Sequence, residues 1–132
     1  MTSLSKKIYS QKKIDNAEKA NEILKKMVLD YNREHFIVLH LNARNIATSA
    51  HIISIGTLNS TLVHPREVFF KAVREKSTYL IVAHNHPSGE TEPSEADILL
   101  TERLKKAGEL MGIEIMDHLI MDKQGNYKSI IN

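Results

Sequence analysis

Two short apolar runs constrain the fold of this chain more than any other feature of its sequence. They are HFIVLHLN at residues 35–42 and TYLIVAH at residues 78–84. Both have the length of a strand, and TYLIVAH is too short for a helix given the residues that flank it. Such a run is typical of a strand that is buried on both faces of a sheet. We therefore predict a sheet that other elements cover.

Helical periodicity predicts three helices around these strands. The first is predicted to open with a capping box at Asp15 and to run to Tyr31. The second is predicted to begin at Pro65, because proline is favoured in the first turn of a helix. The third is predicted to start at Ser94 and to end at Gly112.

Three further strands complete the predicted fold. The segment IATSAHIISIG, residues 46–56, is predicted to form a hairpin with residues 35–42. The segments IEIMDHLIMD and NYKSII are predicted to pair across a turn at Gly125. The order α-β-β-α-β-α-β-β predicts an α/β fold, a mixed β-sheet flanked by helices. At 15.0 kDa the chain is expected to form a single domain over residues 1–132.

The formal net charge of +2 comes from the start of the chain. Lys6, Lys7, Lys12 and Lys13 precede the first acidic residue, and the rest of the chain holds 14 basic and 16 acidic side chains. We expect residues 1–13 to be a flexible basic tail. A DNA-binding domain usually presents a basic face, so DNA is only weakly supported as a partner.

Several cellular settings are disfavoured by composition. No apolar run reaches the roughly 18 residues of a membrane span, and the first residues lack the apolar core of a signal peptide. We therefore expect a cytoplasmic protein without a membrane segment. The chain has no cysteine, which excludes disulfides and thiolate metal ligands.

Potential metal ligands gather where TYLIVAH ends. His84 and His86 are two residues apart at this strand end, so both imidazoles leave the same face. The loop HNHPSGETEP leads to Asp97 in the first turn of the third helix, which can place its carboxylate beside the histidines. Two nitrogens and one oxygen leave a fourth tetrahedral position for water, as in catalytic zinc sites.

Each of these residues also has a purely structural explanation. A histidine at a strand end is often a polar terminator. Ser94 followed by Asp97 is a common signature of a helix start. Spacing alone leaves capping and metal chemistry open for these two residues, and the two roles are compatible.

The spacing resembles a known motif. His84, His86, Ser94 and Asp97 match the JAMM motif of MPN-type metalloproteases, which is HxH followed by seven residues and SxxD. The segments GTLNSTLVHPREVFFKAV, AHNHPSGETEPSEAD and DHLIM resemble the bacterial RadC family, and the likeness covers residues 34–121. The resemblance implies a JAB/MPN-type fold related to the cytidine deaminases.

The resemblance also implies roles for individual residues. One zinc ion per chain would be bound by the two motif histidines and Asp97, with Ser94 near the attacking water. A JAMM site needs a carboxylate from the first central strand as general base, and the matching residue is Glu34. Family members place this acid directly before the apolar run, whereas His35 intervenes here. The alternative for Glu34 is an exposed acid between a helix and a strand.

The function implied by the resemblance is a zinc-dependent hydrolase of the JAMM type. It would cleave peptide or isopeptide bonds of a protein or peptide substrate with zinc-activated water. The alternative is a RadC-like DNA-associated accessory protein in repair or recombination without protease activity, and a third hypothesis is a catalytically silent scaffold. We also expect the chain to lack the helix-hairpin-helix region of longer RadC proteins, and its strand edges to permit a homodimer.

Two other family-like segments keep two interpretations each. Arg66 or Glu67 would border the cleft, or would belong to an ordinary helix start after Pro65. Asp117 and His118 would support a metal ligand, or would be a polar pair on a strand. HNH nucleases spread their three residues over a ββα unit, and zinc deaminases need a Cys-x-x-Cys pair, so neither class fits.

Overall fold

The computed structural model describes residues 5–56 and 63–131, which fold as a mixed α/β structure and confirm the predicted fold class. The helices are α1 (Ala17–Leu24), α2 (Pro65–Arg74) and α3 (Glu95–Met111), and a 3-10 turn at Lys25–Met27 follows α1. The strands are β1 (Ser5–Lys7), β2 (His35–Leu41), β3 (Ala47–Ile55), β4 (Tyr79–Asn85), β5 (Glu114–Met121) and β6 (Tyr127–Ser129). None of the helices in this part of the chain is long and apolar enough to cross a membrane.

The sheet has the strand order β1-β3-β2-β4-β5-β6, so the two apolar runs of the sequence lie at its centre. β2 is antiparallel to both β3 and β4, whereas β4 and β5 are parallel. A parallel pair needs a crossover connection, and α3 supplies it. The carboxyl end of β4 therefore leads directly into the loop that starts α3.

Alternate residues of β2 enter two different core layers. All seven residues of the strand are buried, which agrees with its continuous apolar pattern. Ile37 and Leu39 pack in the layer that contains Leu24 of α1. Phe36 and Val38 pack on the opposite face, against α2 and α3.

α1 differs from its prediction at both ends. Its N-cap is Asn16, whose side chain accepts a hydrogen bond from the Lys19 amide at 2.8 Å. Asp15 instead forms an ion pair with the Lys19 ammonium at 2.8 Å. Asn and Asp are comparable N-caps, so the local sequence could not distinguish them. The helix ends at Leu24, well before the predicted end, because the chain tightens into the 3-10 turn and becomes extended at Val28.

The start of the chain differs from the expected flexible tail. Residues 5–7 form β1 and pair with β3, and Lys13 forms an isolated bridge with Ile46. The side chains of β1 are all exposed, so no apolar pattern in the sequence predicts this strand. The pairing satisfies backbone groups along part of the β3 edge. Residues 1–4 of the expected tail, and residues 57–62 of the RadC-like segment, lie outside the described residues.

The end of α3 contains a close backbone contact. Gly112 terminates the helix as predicted, with a left-handed φ of 72°. One turn earlier, Gly108 lies against the chain that returns into β5. A Cβ atom at Gly108 would lie 2.2 Å from the carbonyl oxygen of Ile113 and 3.4 Å from the ring of Phe69. This position therefore requires glycine for steric reasons.

We expect Gly108→Ala to destabilise the fold by about 1–3 kcal/mol, because the new methyl group overlaps a backbone atom. Helix propensity alone predicts the opposite sign, a gain of about 1 kcal/mol. Chemical denaturation of the variant measures the free energy of unfolding. Glu109→Ala, at the exposed neighbouring position, is the control that should change little. A stabilised Gly108→Ala protein would contradict the close contact.

A buried polar cluster joins His40 and His51 of the sheet to Ser77, which follows α2. His40 Nδ1 lies 2.8 Å from Ser77 Oγ, and His40 Nε2 lies 2.9 Å from His51 Nδ1. Burial, together with the nearby His51, lowers the pKa of His40 to about 4 from the ordinary 6.5. His40 is therefore a neutral structural residue at neutral pH.

His40 should make the fold sensitive to acid. Between pH 6.5 and about 4 the unfolded chain binds a proton at this histidine while the folded protein does not. The free energy of unfolding should therefore fall by up to about 3 kcal/mol over this range, and should be independent of His40 above it. Urea unfolding from pH 7 to pH 4 measures this slope. His40→Gln should make the free energy of unfolding depend less on pH, whereas the exposed His64→Gln should leave that dependence unchanged. Equal slopes in the wild type and both variants would refute the assignment.

Candidate metal centre

The carboxyl end of β4 and the first turn of α3 bring three potential metal ligands into contact. The Nε2 atoms of His84 and His86 lie 3.1 Å apart. The Asp97 carboxylate lies 3.0 Å from His84 Nε2 through Oδ1 and 2.8 Å from His86 Nε2 through Oδ2. The structure therefore brings together the three side chains that the sequence singles out as metal ligands.

Asp97 is held in place by the N-terminus of α3. The Ser94 hydroxyl oxygen accepts a hydrogen bond from the Asp97 amide at 3.1 Å, and Asp97 Oδ2 accepts one from the Ser94 amide at 2.8 Å. These reciprocal bonds are a capping box, the alternative that the sequence left open. Because the same carboxylate also faces both histidines, capping and ligand placement are two aspects of one geometry.

The close approach of these groups changes their acid–base behaviour. Burial by itself raises the pKa of the Asp97 carboxyl, but the contacts with His84 and His86 outweigh burial and bring the pKa well below its usual range. The hydrogen bond to Asp97 raises the pKa of His86 against the opposing effect of burial. The pocket therefore holds an ionised carboxylate that favours a cation beside it.

His86 is oriented by the loop that follows β4. Its Nδ1 lies 3.1 Å from the carbonyl oxygen of Glu90, which can only accept a hydrogen bond. Nδ1 carries a proton when it pairs with this carbonyl, and Nε2 faces the Asp97 carboxylate at 2.8 Å. Histidines that bind metals commonly donate their second N–H to a backbone carbonyl in this way.

His84 is backed by two further buried side chains. Its Nδ1 lies 2.8 Å from Nε2 of His118, and Nδ1 of His118 lies 2.6 Å from the Thr101 hydroxyl oxygen. The Thr101 hydroxyl donates a hydrogen bond to the Asp97 carbonyl oxygen at 2.8 Å. Burial lowers the pKa of His118 to about 3, so the ring is neutral. Sequence reasoning missed Thr101, although its place one helical turn after Asp97 puts both on the same face of α3.

Asp117 belongs to a different part of the structure from its neighbour His118. Asp117 Oδ1 accepts hydrogen bonds from the His118 amide at 2.8 Å and from the Ser129 hydroxyl at 2.6 Å. These bonds fix β6 against β5. Of the pair that the sequence left open, His118 lies at the candidate centre and Asp117 does not.

Glu34 lies on the open side of the cluster, just before β2. One potential ligand atom from each of Glu34, His84 and His86 lies within 4.8 Å of the other two. Asp97 is in hydrogen-bond contact with both rings. Among the described residues, Glu34 lies near the same rings but forms no ion pair with them. Asp97 thus contacts both rings, and Glu34 is a second acidic group close to them.

Asn85 fixes the backbone on both sides of Glu34. The buried Asn85 Oδ1 accepts a hydrogen bond from the His35 amide at 2.9 Å, and its Nδ2 donates one to the Arg33 carbonyl oxygen at 3.0 Å. The position of Glu34 is therefore tied to β4, the strand that carries His84. Sequence reasoning missed this role, because the middle residue of HxH is not specified by the motif.

A cleft of about 890 Å³ opens in front of the ligands. Glu34 and Phe36 contribute to its wall on the β2 side, and Leu99 and Arg103 contribute from α3. Ser94 also lines the cleft. Its oxygen accepts the Asp97 amide, so the hydroxyl proton remains available to a bound molecule.

Arg66 and Glu67 do not line this cleft. They border a separate groove of about 400 Å³ between β3 and α2. Pro65 occupies the first turn of α2, and Glu67 lies in the same turn. Their observed places agree with the helix-start interpretation of this segment.

The donor set fits a divalent metal ion. Two imidazole nitrogens and one ionised carboxylate converge at the floor of a water-accessible cleft. Without a metal ion, a histidine Nε2 can pair with the Asp97 carboxylate only when that nitrogen carries a proton. Zinc takes nitrogen and oxygen ligands of this kind and, in catalytic sites, keeps one coordination position open.

Known proteins match most of the chain. The family model of the RadC-like JAB domain matches residues 14–132. A UPF0758 protein of Chlorobium phaeovibrioides is 46% identical over 118 residues, which are 89% of this chain and 53% of that protein. A UPF0758 protein of Staphylococcus haemolyticus is 46% identical over 119 residues, 90% of this chain and 52% of that protein. The chain thus spans about half the length of these curated relatives, and the resemblance seen in the sequence is confirmed.

Proposed function

Because the chain belongs to the RadC-like JAB domain family, we propose that it is a zinc-dependent hydrolase of the JAMM type. The observation that carries the proposal is the contact of His84, His86 and Asp97 at the floor of an open cleft. The reaction is the cleavage of a peptide or isopeptide bond, and the substrate is a protein or peptide.

In the proposed reaction the metal ligands and Glu34 have different roles. Zinc held by His84, His86 and Asp97 would supply Lewis-acid chemistry and lower the pKa of a water molecule toward about 7. Glu34 accepts a proton on its carboxylate as the water oxygen attacks the amide carbon, and then delivers that proton to the leaving nitrogen. Its place on the cleft wall, tied through Asn85 to β4, supports this role.

In this proposal Ser94 stabilises the transition state. Its hydroxyl oxygen accepts the Asp97 amide and the residue lines the cleft, so the O–H remains free to donate to a bound molecule. An O–H donor stabilises the negative charge that develops on the carbonyl oxygen of the substrate. Loss of one such donor typically costs about 3 kcal/mol of transition-state stabilisation.

Removal of a ligand should remove the metal. We expect the wild-type protein to retain about one zinc per chain after dialysis, and Asp97→Asn to bind zinc at least about a hundredfold more weakly. The asparagine retains an oxygen that can accept the Ser94 amide, so this variant separates metal binding from capping. His84→Ala should behave alike, and the exposed His64→Ala should keep full zinc content. Metal analysis by mass spectrometry is the measurement; a zinc-loaded Asp97→Asn protein would disprove the ligand assignment.

Replacement of the proposed base should separate metal binding from turnover. Glu34→Gln keeps the size of the side chain but cannot accept a proton, so zinc content should stay the same while turnover falls by roughly 100- to 10,000-fold. Glu92→Gln, on the same cleft, is the matched control with expected near-normal turnover. If Glu34→Gln cleaves substrate at the wild-type rate, the base must be another group.

A peptide-library cleavage assay with and without a chelator tests the function itself. Cleavage that the chelator abolishes and zinc restores supports the hydrolase. The competing function, a DNA-associated accessory protein, predicts salt-sensitive DNA affinity that depends on the lysines before residue 14. Tight DNA binding without any peptide cleavage would favour that function over the one proposed.

A further inference from the structure

Behind His84 lies a buried pair of side chains that the proposed hydrolysis does not use directly. His118 on β5 is fully buried, and Thr101 on α3 is 3% exposed. With His84 they form a continuous chain of contacts of 2.8 Å and 2.6 Å that ends at the Asp97 carbonyl oxygen. The chain therefore begins at one proposed ligand and ends on the backbone of another.

The hydroxyl of Thr101 determines the proton positions along this chain. It has a single hydrogen, which it donates to the Asp97 carbonyl oxygen. The contact of 2.6 Å with His118 Nδ1 then needs a proton on that nitrogen. His118 Nε2 is left with a lone pair, so the contact of 2.8 Å with His84 Nδ1 needs a proton on His84 Nδ1. The lone pair of His84 must then be on Nε2.

The opposite proton order would be incompatible with a metal ion. If His118 donated through Nε2, His84 Nδ1 would be the acceptor and the neutral His84 ring would carry its proton on Nε2. That nitrogen is the one beside His86 and Asp97. A protonated nitrogen cannot bind a metal ion.

We infer that His118 and Thr101 are positioning residues that hold His84 in the tautomer with Nε2 available as a ligand. The inference rests on the proposed metal centre and names the residues that prepare it. A ligating histidine usually donates its second N–H to a carboxylate, a carbonyl or water. Here the acceptor is a neutral imidazole, which orients His84 without adding a charge to a pocket that already holds Asp97 and Glu34.

The burial of the pair gives the arrangement its specificity. Each ring nitrogen of His118 has one protein partner, and the Phe36 ring lies edge-on to His118 with centroids 5.7 Å apart. Phe36 also stacks on His84 with centroids 6.2 Å apart. Water cannot readily replace a lost partner in such surroundings, so removal of the acceptor should be felt at His84.

The test is zinc affinity, measured by competition with a chromogenic chelator. His118→Phe removes the acceptor, and Thr101→Val removes the hydroxyl at nearly constant size. We expect each to weaken zinc binding by roughly 10- to 100-fold. Thr101→Ser keeps the hydroxyl and should restore affinity, and His118→Gln, which keeps an acceptor, should bind more tightly than His118→Phe. Thr48→Val, which removes a hydroxyl that donates to the His40 carbonyl far from the centre, is the control with expected wild-type affinity.

A spectroscopic measurement separates tautomer control from a general loss of structure. In zinc-loaded wild-type protein, long-range proton–nitrogen NMR spectra should show the His84 proton on Nδ1 in slow exchange with solvent. His118→Phe should lose that protected proton while its thermal unfolding remains cooperative. If Thr101→Val proves poorly folded, the comparison of His118→Gln with His118→Phe still decides whether an acceptor at position 118 controls His84.

The outcomes distinguish a failure of this inference from a failure of the proposed function. Wild-type protein that binds zinc tightly, together with His118→Phe and Thr101→Val variants of equal affinity and an unchanged His84 proton, would overturn the positioning role alone. Wild-type protein that takes up no zinc would overturn the proposed metal centre and this inference with it.

Discussion

The candidate centre depends on one contact, the meeting of the Asp97 carboxylate with the inward nitrogens of His84 and His86. Three groups that accept protons or metal ions converge at a place where each is partly or fully removed from water. Such an arrangement is unfavourable unless a cation lies among them. The fold brings the three groups together because the end of the central strand β4 lies beside the start of the crossover helix α3. The parallel pairing of β4 with β5 requires that crossover, so the sheet topology itself brings Asp97 close to the two histidines.

The surrounding residues show how few degrees of freedom the centre retains. Asp97 is fixed by the capping box with Ser94, and His86 is fixed by the Glu90 carbonyl. His84 is fixed by His118, and the segment before β2 is fixed by Asn85. The last two of these bonds join β5 and β2 to β4. A hydrolase needs such preorganisation, because ligands and base must be aligned before the substrate arrives.

Much of this arrangement could be predicted from the sequence, and the exceptions have physical reasons. The central strands and α3 are marked by apolar runs, a capping signature and a terminal glycine, so their bounds follow closely. β1 was not predictable, because three exposed residues on a sheet edge carry no apolar pattern. Spacing and motif gave the two histidines and Asp97. Thr101 and Asn85 act through contacts that only the folded chain displays, and the sequence left the role of His118 open between two interpretations. The chain spans about half the length of its relatives, so the activity of the whole protein is a proposal.

The central claim is that one divalent metal ion is bound between His84, His86 and Asp97. The most direct measurement is a crystal structure of the zinc-soaked protein with data collected on both sides of the zinc absorption edge. We expect one anomalous peak per chain, at the floor of the cleft and in contact with all three side chains. An absent peak, or one bound elsewhere with the Asp97 side chain turned away from the two rings, would contradict it.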